Sequence, residues 1–336
     1  MIHQEFLFIS FFTIICCFLL IFFAKKFDLL DYPTKRKKHK FPTPYIGGLV
    51  IGIGCLIILK FFNLKENSQL QSLLLCSFLM SIIGLIDDKF ELNVVNKFIL
   101  QSIPVLIVIS KKLFINNLGT YEYFGLVSLG IYSVLITFLC VMFLMNAANY
   151  NDGVNGNLIS IFITFLFIII NFIDVNNTIY IILLLLIPIS IVLFVFNCIV
   201  KKEFTLFLGD SGSLTIGFLI SFICIYCALN NLIAYALIPW TINYLVFEFI
   251  STNLSRIIRN KNVFNAGDDH MHYFLKKIFE KDYLVITITN LIYLLNFLIG
   301  LVIFKMMGSV ASIIFFIIFF FVYFYIREKI FRIFKL

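Results

Sequence analysis

The chain has 336 residues, 62% of them hydrophobic and 13% charged, with a formal net charge of +8 and a mean hydropathy of +1.05. Soluble domains average roughly 45–50% apolar and about 25% charged residues, so a soluble globular domain, a disordered chain and a secreted disulfide scaffold are all excluded. What remains is an all-α, polytopic integral membrane protein; at about 20 apolar residues per crossing, it has room for roughly ten to twelve helices and no sizeable soluble domain.

Apolar runs and their polar interruptions predict eleven spans, at 5–24, 45–62, 69–86, 93–109, 126–145, 157–173, 178–199, 212–229, 233–253, 284–304 and 308–326. The run at 93–109 is the weakest, being short and carrying Gln101 and Pro104. The first run has no basic residue before it and Lys25–Lys26 after it, the reverse of a cleaved signal peptide. It is therefore expected to stay as a helix with its N-terminus outside. Alternate interruptions hold 21 of the 26 lysines and arginines, and the opposite set holds five. That bias marks the first set as cytosolic, together with the C-terminus. It also reads the positive charge as membrane topology, with no nucleic acid implied. The connections on the other side are brief, no repeat divides the chain, and residues 1–336 are read as one transmembrane domain. The eight cysteines all lie in apolar stretches and read as small apolar residues, including the Cys224–Cys227 pair.

Carboxylates are costly at membrane depth and tend to mark function. Here Asp87–Asp88, Asp152, Asp210 and Asp268–Asp269 all fall on the side that the charge bias marks as cytosolic. Asp87–Asp88 closes the third span, where the helix dipole disfavours negative charge; a divalent cation, or Lys89 and Lys97, must compensate. The window Asn146–Asn157 holds five Asn, one Asp and two Gly. A turn needs only two or three such residues, and the surplus of amides suits a sugar, a uracil or a phosphate. Gly209-Asp210-Ser211-Gly212-Ser213 opens the eighth span, joining N–H groups that attract anions to a carboxylate that can hold a cation. After the ninth span come Arg256, Arg259 and Lys261, then Asp268-Asp269-His270-Met271-His272. Two histidines two residues apart do not share a helical face, so phosphate binding is expected there, not zinc. The basic run Lys35–Lys40 would ordinarily meet lipid headgroups, but Pro42, Pro44 and Gly47–Gly48 after it predict a fixed loop returning to the bilayer.

The ordered set Asp31-x-Pro…Arg36…His39…Gly47-Gly48, Asp87-Asp88-x-Phe90…Lys97…Gln101, Asn146-x-x-Asn149-x-x-Asp152-Gly-x-Asn155-Gly, Gly209-Asp210-Ser-Gly-Ser and Arg256…Phe264…Asp268-Asp269-His270-x-His272 resembles the polyprenyl-phosphate N-acetylhexosamine-1-phosphate transferases. The resemblance runs from about residue 25 to 275. Its layout is most similar to the bacterial undecaprenyl-phosphate N-acetylglucosamine-1-phosphate transferases, which are also read as eleven-span proteins. It implies Mg²⁺-dependent transfer (Mn²⁺ being the alternative ion) of a sugar 1-phosphate from a UDP-N-acetylhexosamine to undecaprenyl phosphate. UMP is released and a lipid-linked cell-surface glycan begins, in a bacterial inner membrane, with a homodimer compatible. By motif position it implies catalytic roles for Asp87, Asp88 and Asp210, with Asp210, Asp152 and Asp88 as metal ligands. It implies substrate contacts for Asn146, Asn149, Asp152, Asn155, Lys97, Arg256, Arg259, His270, His272, His39 and Arg36. Asn155 stands where the family commonly has a second Asp, and the histidine run is short, which leaves the donor open among UDP-N-acetylhexosamines, their deoxy relatives and UDP-MurNAc-pentapeptide. The rival from another class, a lipid or solute transporter, would place ionisable groups at mid-membrane in paired halves, a pattern absent from this sequence.

Overall fold

The computed structural model describes residues 2–33, 41–61, 67–263 and 267–334. Its helices follow the predicted runs: α1 (Ile2–Lys26), α2 (Gly47–Phe61), α3 (Ser68–Phe90), α4 (Val94–Ser110), α5 (Ser133–Tyr150), α6 (Asn157–Ile170), α7 (Thr178–Cys198) and α8 (Gly209–Leu229). They continue with the short α9 (Ile238–Thr241), then α10 (Asn243–Ile258), α11 (Met271–Phe279) and α12 (Asp282–Ile333). Among the described residues six helices are long and apolar enough to cross a membrane by length and composition, and three shorter ones, α2, α4 and α6, are also apolar. The predicted number of eleven crossings therefore stays an expectation, while the predominantly helical, apolar architecture is plain. Polar side chains set several boundaries: Asn67 accepts the Leu70 N–H at the start of α3, and Asn93 accepts that of Asn96 at the start of α4.

Two predicted runs take a different form. Residues 126–128 belong not to a helix but to an antiparallel hairpin, β3 (Asn117–Tyr121) with β4 (Gly125–Ser128), and α5 begins only at Ser133. The run at 233–253 is broken: a 3₁₀ turn at Tyr235–Leu237 and α9 precede α10, and Asn243 donates to the Trp240 carbonyl at the junction. The last two runs part close to the expected place: within the stretch labelled α12 two helices meet at Gly308, whose φ of +83° and ψ of −173° no other residue type adopts readily.

The core is built around α8, buried along nearly its whole length and packed by α2, α3 and α5. Close approach is possible because of glycines. A Cβ on Gly48 or on Gly84 would fall within 2.1 and 2.4 Å of Ser211 backbone atoms, and one on Gly217 within 2.6 Å of Met145 Cα. The start of α8 is thus wedged between α2 and α3. The segment before α2 is fixed as the glycine pair predicted: β1 (Leu30–Asp31) pairs with β2 (Thr43–Pro44), Phe207 N–H donates to the Pro44 carbonyl at 2.7 Å and Gly47 N–H to the Phe207 carbonyl at 2.9 Å. Large apolar side chains on α1 and α12, among them Leu7, Phe11, Phe22 and Phe321, lie exposed on the outside. Such a surface suits lipid and not water.

Candidate active site

Two adjacent carboxylates at the end of α3 run against the helix dipole, and the fold answers each differently. Glu91 adopts a left-handed conformation, its N–H returning to the Asp87 carbonyl at 2.8 Å, so that the chain doubles back into α4. That turn brings Lys97 Nζ to 2.6 Å from Asp87 Oδ2 and into a bond with Asp210 Oδ2. The second oxygen of Asp87 accepts the Leu92 N–H at 3.2 Å. Asp88 instead accepts the N–H groups of Asp210 (2.9 Å) and Ser211 (3.1 Å). The negative end of α3 therefore meets the positive start of α8, satisfying two of the donors that a helix leaves orphaned. Gly209, at φ +67°, makes this possible: a Cβ there would sit 2.6 Å from Asp88 Oδ2.

Asp210 is gripped from three elements. Besides Lys97 of α4 and the backbone cap from α3, Asn149 of α5 donates to its Oδ1 at 2.8 Å and to Ser213 Oγ at 2.9 Å. The rest of the asparagine window divides. Asn146 donates to the Met142 carbonyl within its own helix, Asn151 donates to Ala147, and Asn157 joins the Asn151 carbonyl to Thr289. Asp152 and Asn155 face the cavity described next. The Asp152 carboxylate has no ion-pair or hydrogen-bond partner among the described residues. Burial, then the negative charges of Asp210 and Asp88, hold it well above the usual carboxylate range.

These groups border one cavity of about 1570 Å³. Of the predicted residues, its wall carries Asp88, Asn149, Asp152, Asn155 and Asp210; Tyr45, Gly267, Asp268 and Tyr273 complete the polar rim. Nine carboxylates and three lysines line it among the described residues. An acidic wall with an unpaired carboxylate fits a hard cation. Yet no three His, Cys, Asp or Glu side chains among the described residues form a ready metal cage. In the structure Asp88 places both oxygens on the α8 backbone N–H groups, and Lys97 pairs with one oxygen of Asp210. Mg²⁺ is commonly held by one or two carboxylates, with waters and substrate phosphates completing the shell, and Asp210 with Asp152 meets that smaller demand.

The segment after α10 is anchored by Arg256, whose guanidinium donates to both Asp269 oxygens at 2.9 and 2.6 Å. Burial opposes ionisation of Asp269, but the Arg256 bonds and charge outweigh it and bring its pKa to about 2. His270 and His272 stack in parallel, with ring centroids 5.4 Å apart, and both are buried. Burial lowers their pKa values to about 4 and about 3, with the neighbouring imidazole adding to the shift of His272. His272 packs on Gly153, where a Cβ would meet Nε2 at 2.2 Å. The imidazoles, expected as phosphate ligands, are thus neutral and lie behind the wall, which is formed here by their neighbours. Arg259, also expected at the substrate, is paired with Glu328 of α12 at 2.8 Å and does not line the cavity. Arg36, His39 and Phe264 lie outside the described residues.

Sequence reasoning passed over Glu248 and Arg327, both buried, and Tyr150, whose ring lies edge-on to His270 and beneath the Arg256 guanidinium. An isolated Glu in the apolar run NYLVFEFIS was the available signal.

Residues 70–228 match the family model of Glycosyl transferase family 4. The chain is similar to the undecaprenyl-phosphate alpha-N-acetylglucosaminyl 1-phosphate transferase of Salmonella typhi, 24% identical over 285 residues, which cover 82% of this chain and 76% of the relative. The enzyme of the same name from Escherichia coli (strain K12) is 25% identical over 261 residues, 76% of this chain and 71% of its own length. A probable undecaprenyl-phosphate N-acetylglucosaminyl 1-phosphate transferase of Bacillus subtilis (strain 168) is 26% identical over 255 residues, 75% of this chain and 71% of its own.

Proposed function

We infer that this chain, a member of glycosyl transferase family 4 and a phosphoglycosyl transferase, transfers an N-acetylhexosamine 1-phosphate from a UDP-sugar to undecaprenyl phosphate and releases UMP. The group named for all three relatives, N-acetylglucosamine 1-phosphate, is the first choice of cargo. The observation that carries the reading is the threefold grip on Asp210 at the edge of an acidic, amide-lined cavity at one end of the helices. Both substrates are anionic and one is a lipid, so the reaction needs positive charge at a water–lipid boundary; we assign that boundary to the cytosolic face of a bacterial inner membrane.

Asp210 and Asp152 would hold Mg²⁺ or Mn²⁺, which would offset charge on the diphosphate and on the departing UMP. Lys97 supplies the protein's own cation at the same place; a phosphate oxygen can take over its ammonium and leave Asp210 free for the ion. Asn149 keeps the Asp210 carboxylate aimed, and Asp88 keeps its backbone fixed. Asp87 has one oxygen on Lys97 and one on the Leu92 N–H, so its part is to orient Lys97. A phosphate monoester is already mostly ionised at neutral pH, with a second pKa near 6, and asks little of a base. The polar rim from Asn149 to Asn155 and from Gly267 to Tyr273 suits the nucleotide sugar. The deciding experiment incubates the purified full chain with undecaprenyl phosphate, Mg²⁺ and a panel of UDP-sugars. UMP release that requires both lipid and metal is the expected result, and no release with any donor would overturn the reading.

A further inference from the structure

Two fully buried charged side chains take no part in the site described above. Glu248 of α10 is 0% exposed and Arg327, in the second half of α12 (309–333), is 1% exposed. Removing such groups from water is unfavourable unless hydrogen bonds and opposite charge offset it. Besides their own ion pair at 3.5 Å and bonds within α10 and α12, each sends one hydrogen bond to the backbone of the segment that forms the cavity rim. Arg327 Nη2 donates to the Asp269 carbonyl and to Thr252 Oγ1 (3.0 Å), and Nη1 to Ser255 Oγ (3.0 Å) and Glu328 Oε1 (3.1 Å). Glu248 Oε1 accepts the Met271 N–H at 2.7 Å, and its Oε2 accepts the Tyr323 hydroxyl at 2.6 Å, with Arg327 Nε 3.5 Å away. His270 sits between the two gripped peptide groups in extended conformation, as the residue preceding α11.

We propose that Glu248 and Arg327 are positioning residues, through which the C-terminal half of α12 sets the Gly267–Tyr273 rim of the cavity for the nucleotide sugar. The proposal rests on the transfer reaction inferred above. It draws in residues outside the 70–228 segment that matches the family. Its physical basis is geometric: the carbonyl before His270 and the N–H after it are each tied to a different helix, α12 and α10. Arg256 ties the Asp269 side chain as well. If either backbone tie is lost, Gly267, Asp268 and Tyr273 lose their fixed place beside Asp152 and Asp210. The far side of the cavity, around Leu30, Tyr45 and Phe207, is untouched.

The test uses the full chain in lipid nanodiscs and two variants at each position. E248L removes the acceptor for Met271 whereas E248Q keeps one; R327Q removes the guanidinium whereas R327K keeps a cation. Amide exchange of the 267–273 segment is the readout independent of the reaction. It should quicken by about tenfold or more in E248L and R327Q, as expected when a local tie is lost, and stay near wild type in E248Q. In UMP release, the KM for UDP-N-acetylglucosamine should rise about tenfold in E248L and R327Q with kcat within about threefold, the pattern of lost binding and not lost chemistry. The KM for undecaprenyl phosphate should hold, and E248Q and R327K should recover much of the loss. Unchanged exchange in E248L and R327Q would overturn the proposal, as would both KM values rising together with a general loss of thermal stability. A wild-type chain that releases no UMP would refute the transfer reading instead, while the exchange result would still judge the ties.

Discussion

Replacing Asp88 with asparagine separates two jobs that a carboxylate at this place could do. In the structure both oxygens accept backbone N–H groups, from Asp210 at 2.9 Å and Ser211 at 3.1 Å. Hydrogen bonds to a charged group contribute about 1.5–3 kcal/mol each, and a buried donor left unpaired costs about 1–3 kcal/mol more. Asparagine keeps one acceptor and turns an NH₂ toward the other N–H, so the start of α8 should lose about 2–4 kcal/mol of its hold. At 1.36 kcal/mol per factor of ten, the population with Asp210 correctly set should fall between about 30- and 1,000-fold. The assay is initial UMP release from the purified chain with undecaprenyl phosphate, UDP-N-acetylglucosamine and Mg²⁺, with thermal unfolding in parallel. Gly209→Ala attacks the same contact without removing a carboxylate: its Cβ would lie 2.6 Å from Asp88 Oδ2, on a backbone at φ +67°. It should therefore cost activity on the same scale. A Gly209→Ala chain with normal turnover beside an inactive Asp88→Asn chain would show that Asp88 acts directly on the reactants, refuting the backbone role.

Lys97→Met leaves Asp87 and Asp210 facing each other without their shared ammonium; turnover in the UMP assay should drop about a hundredfold or more, in the range of lost charge stabilisation, with Lys97→Arg retaining part of it. Gly84→Ala forces a methyl to within 2.4 Å of the Ser211 backbone, and overpacking of this kind costs about 1–3 kcal/mol, readable as a lower Tm in detergent. The buried neutral histidines give a pH dependence with a defined sign. Their pKa values are lowered to about 4 (His270) and about 3 (His272), so the unfolded chain binds more protons below its ordinary value of about 6.5, and stability is lost as pH falls from there. Between pH 7 and 5 each should cost about 2 kcal/mol, and a His270→Gln/His272→Gln chain should lose less Tm over that interval than wild type. Chelating divalent metal should abolish UMP release while leaving the fold intact by circular dichroism, and Mg²⁺ or Mn²⁺ should restore it.

How far these features could be read from sequence depended on whether their cause was local. Runs of 14 to 25 apolar residues declare helices because a helix satisfies its own backbone, and most boundaries fell within a few residues of the expected ones. The acids stood out for the same reason, as charges at the ends of such runs. Breaks that depend on one backbone geometry were less visible. The break at Gly308 does fall beside the expected gap at 305–307, but the last strand of the hairpin, at 125–128, is apolar enough to be joined to the next helix. The division of labour among the carboxylates was hidden entirely. Asp87 and Asp88 are adjacent and identical in kind. What distinguishes them is that one turns toward Lys97 and the other toward backbone N–H groups more than a hundred residues away.

The same distinction accounts for the two charges that sequence reasoning passed over. Arg327 falls in the basic C-terminal stretch, where it counts as one more positive-inside residue, and nothing in its neighbourhood separates it from Lys329 or Arg332. Burial separates them: Arg327 is 1% exposed and spends four donors on Thr252, Ser255, Glu328 and the Asp269 carbonyl. Glu248 did carry a signal, because a lone carboxylate inside an apolar run must find partners or be excluded. Its partners, Met271 N–H and Tyr323 hydroxyl, lie 23 and 75 residues on. A charge bias across a membrane is a sum over residues and is blind to which of them are inside. A residue that serves topology stays at the surface, whereas one that holds a loop must be buried against it, so accessibility of the guanidinium is the property that tells the two roles apart.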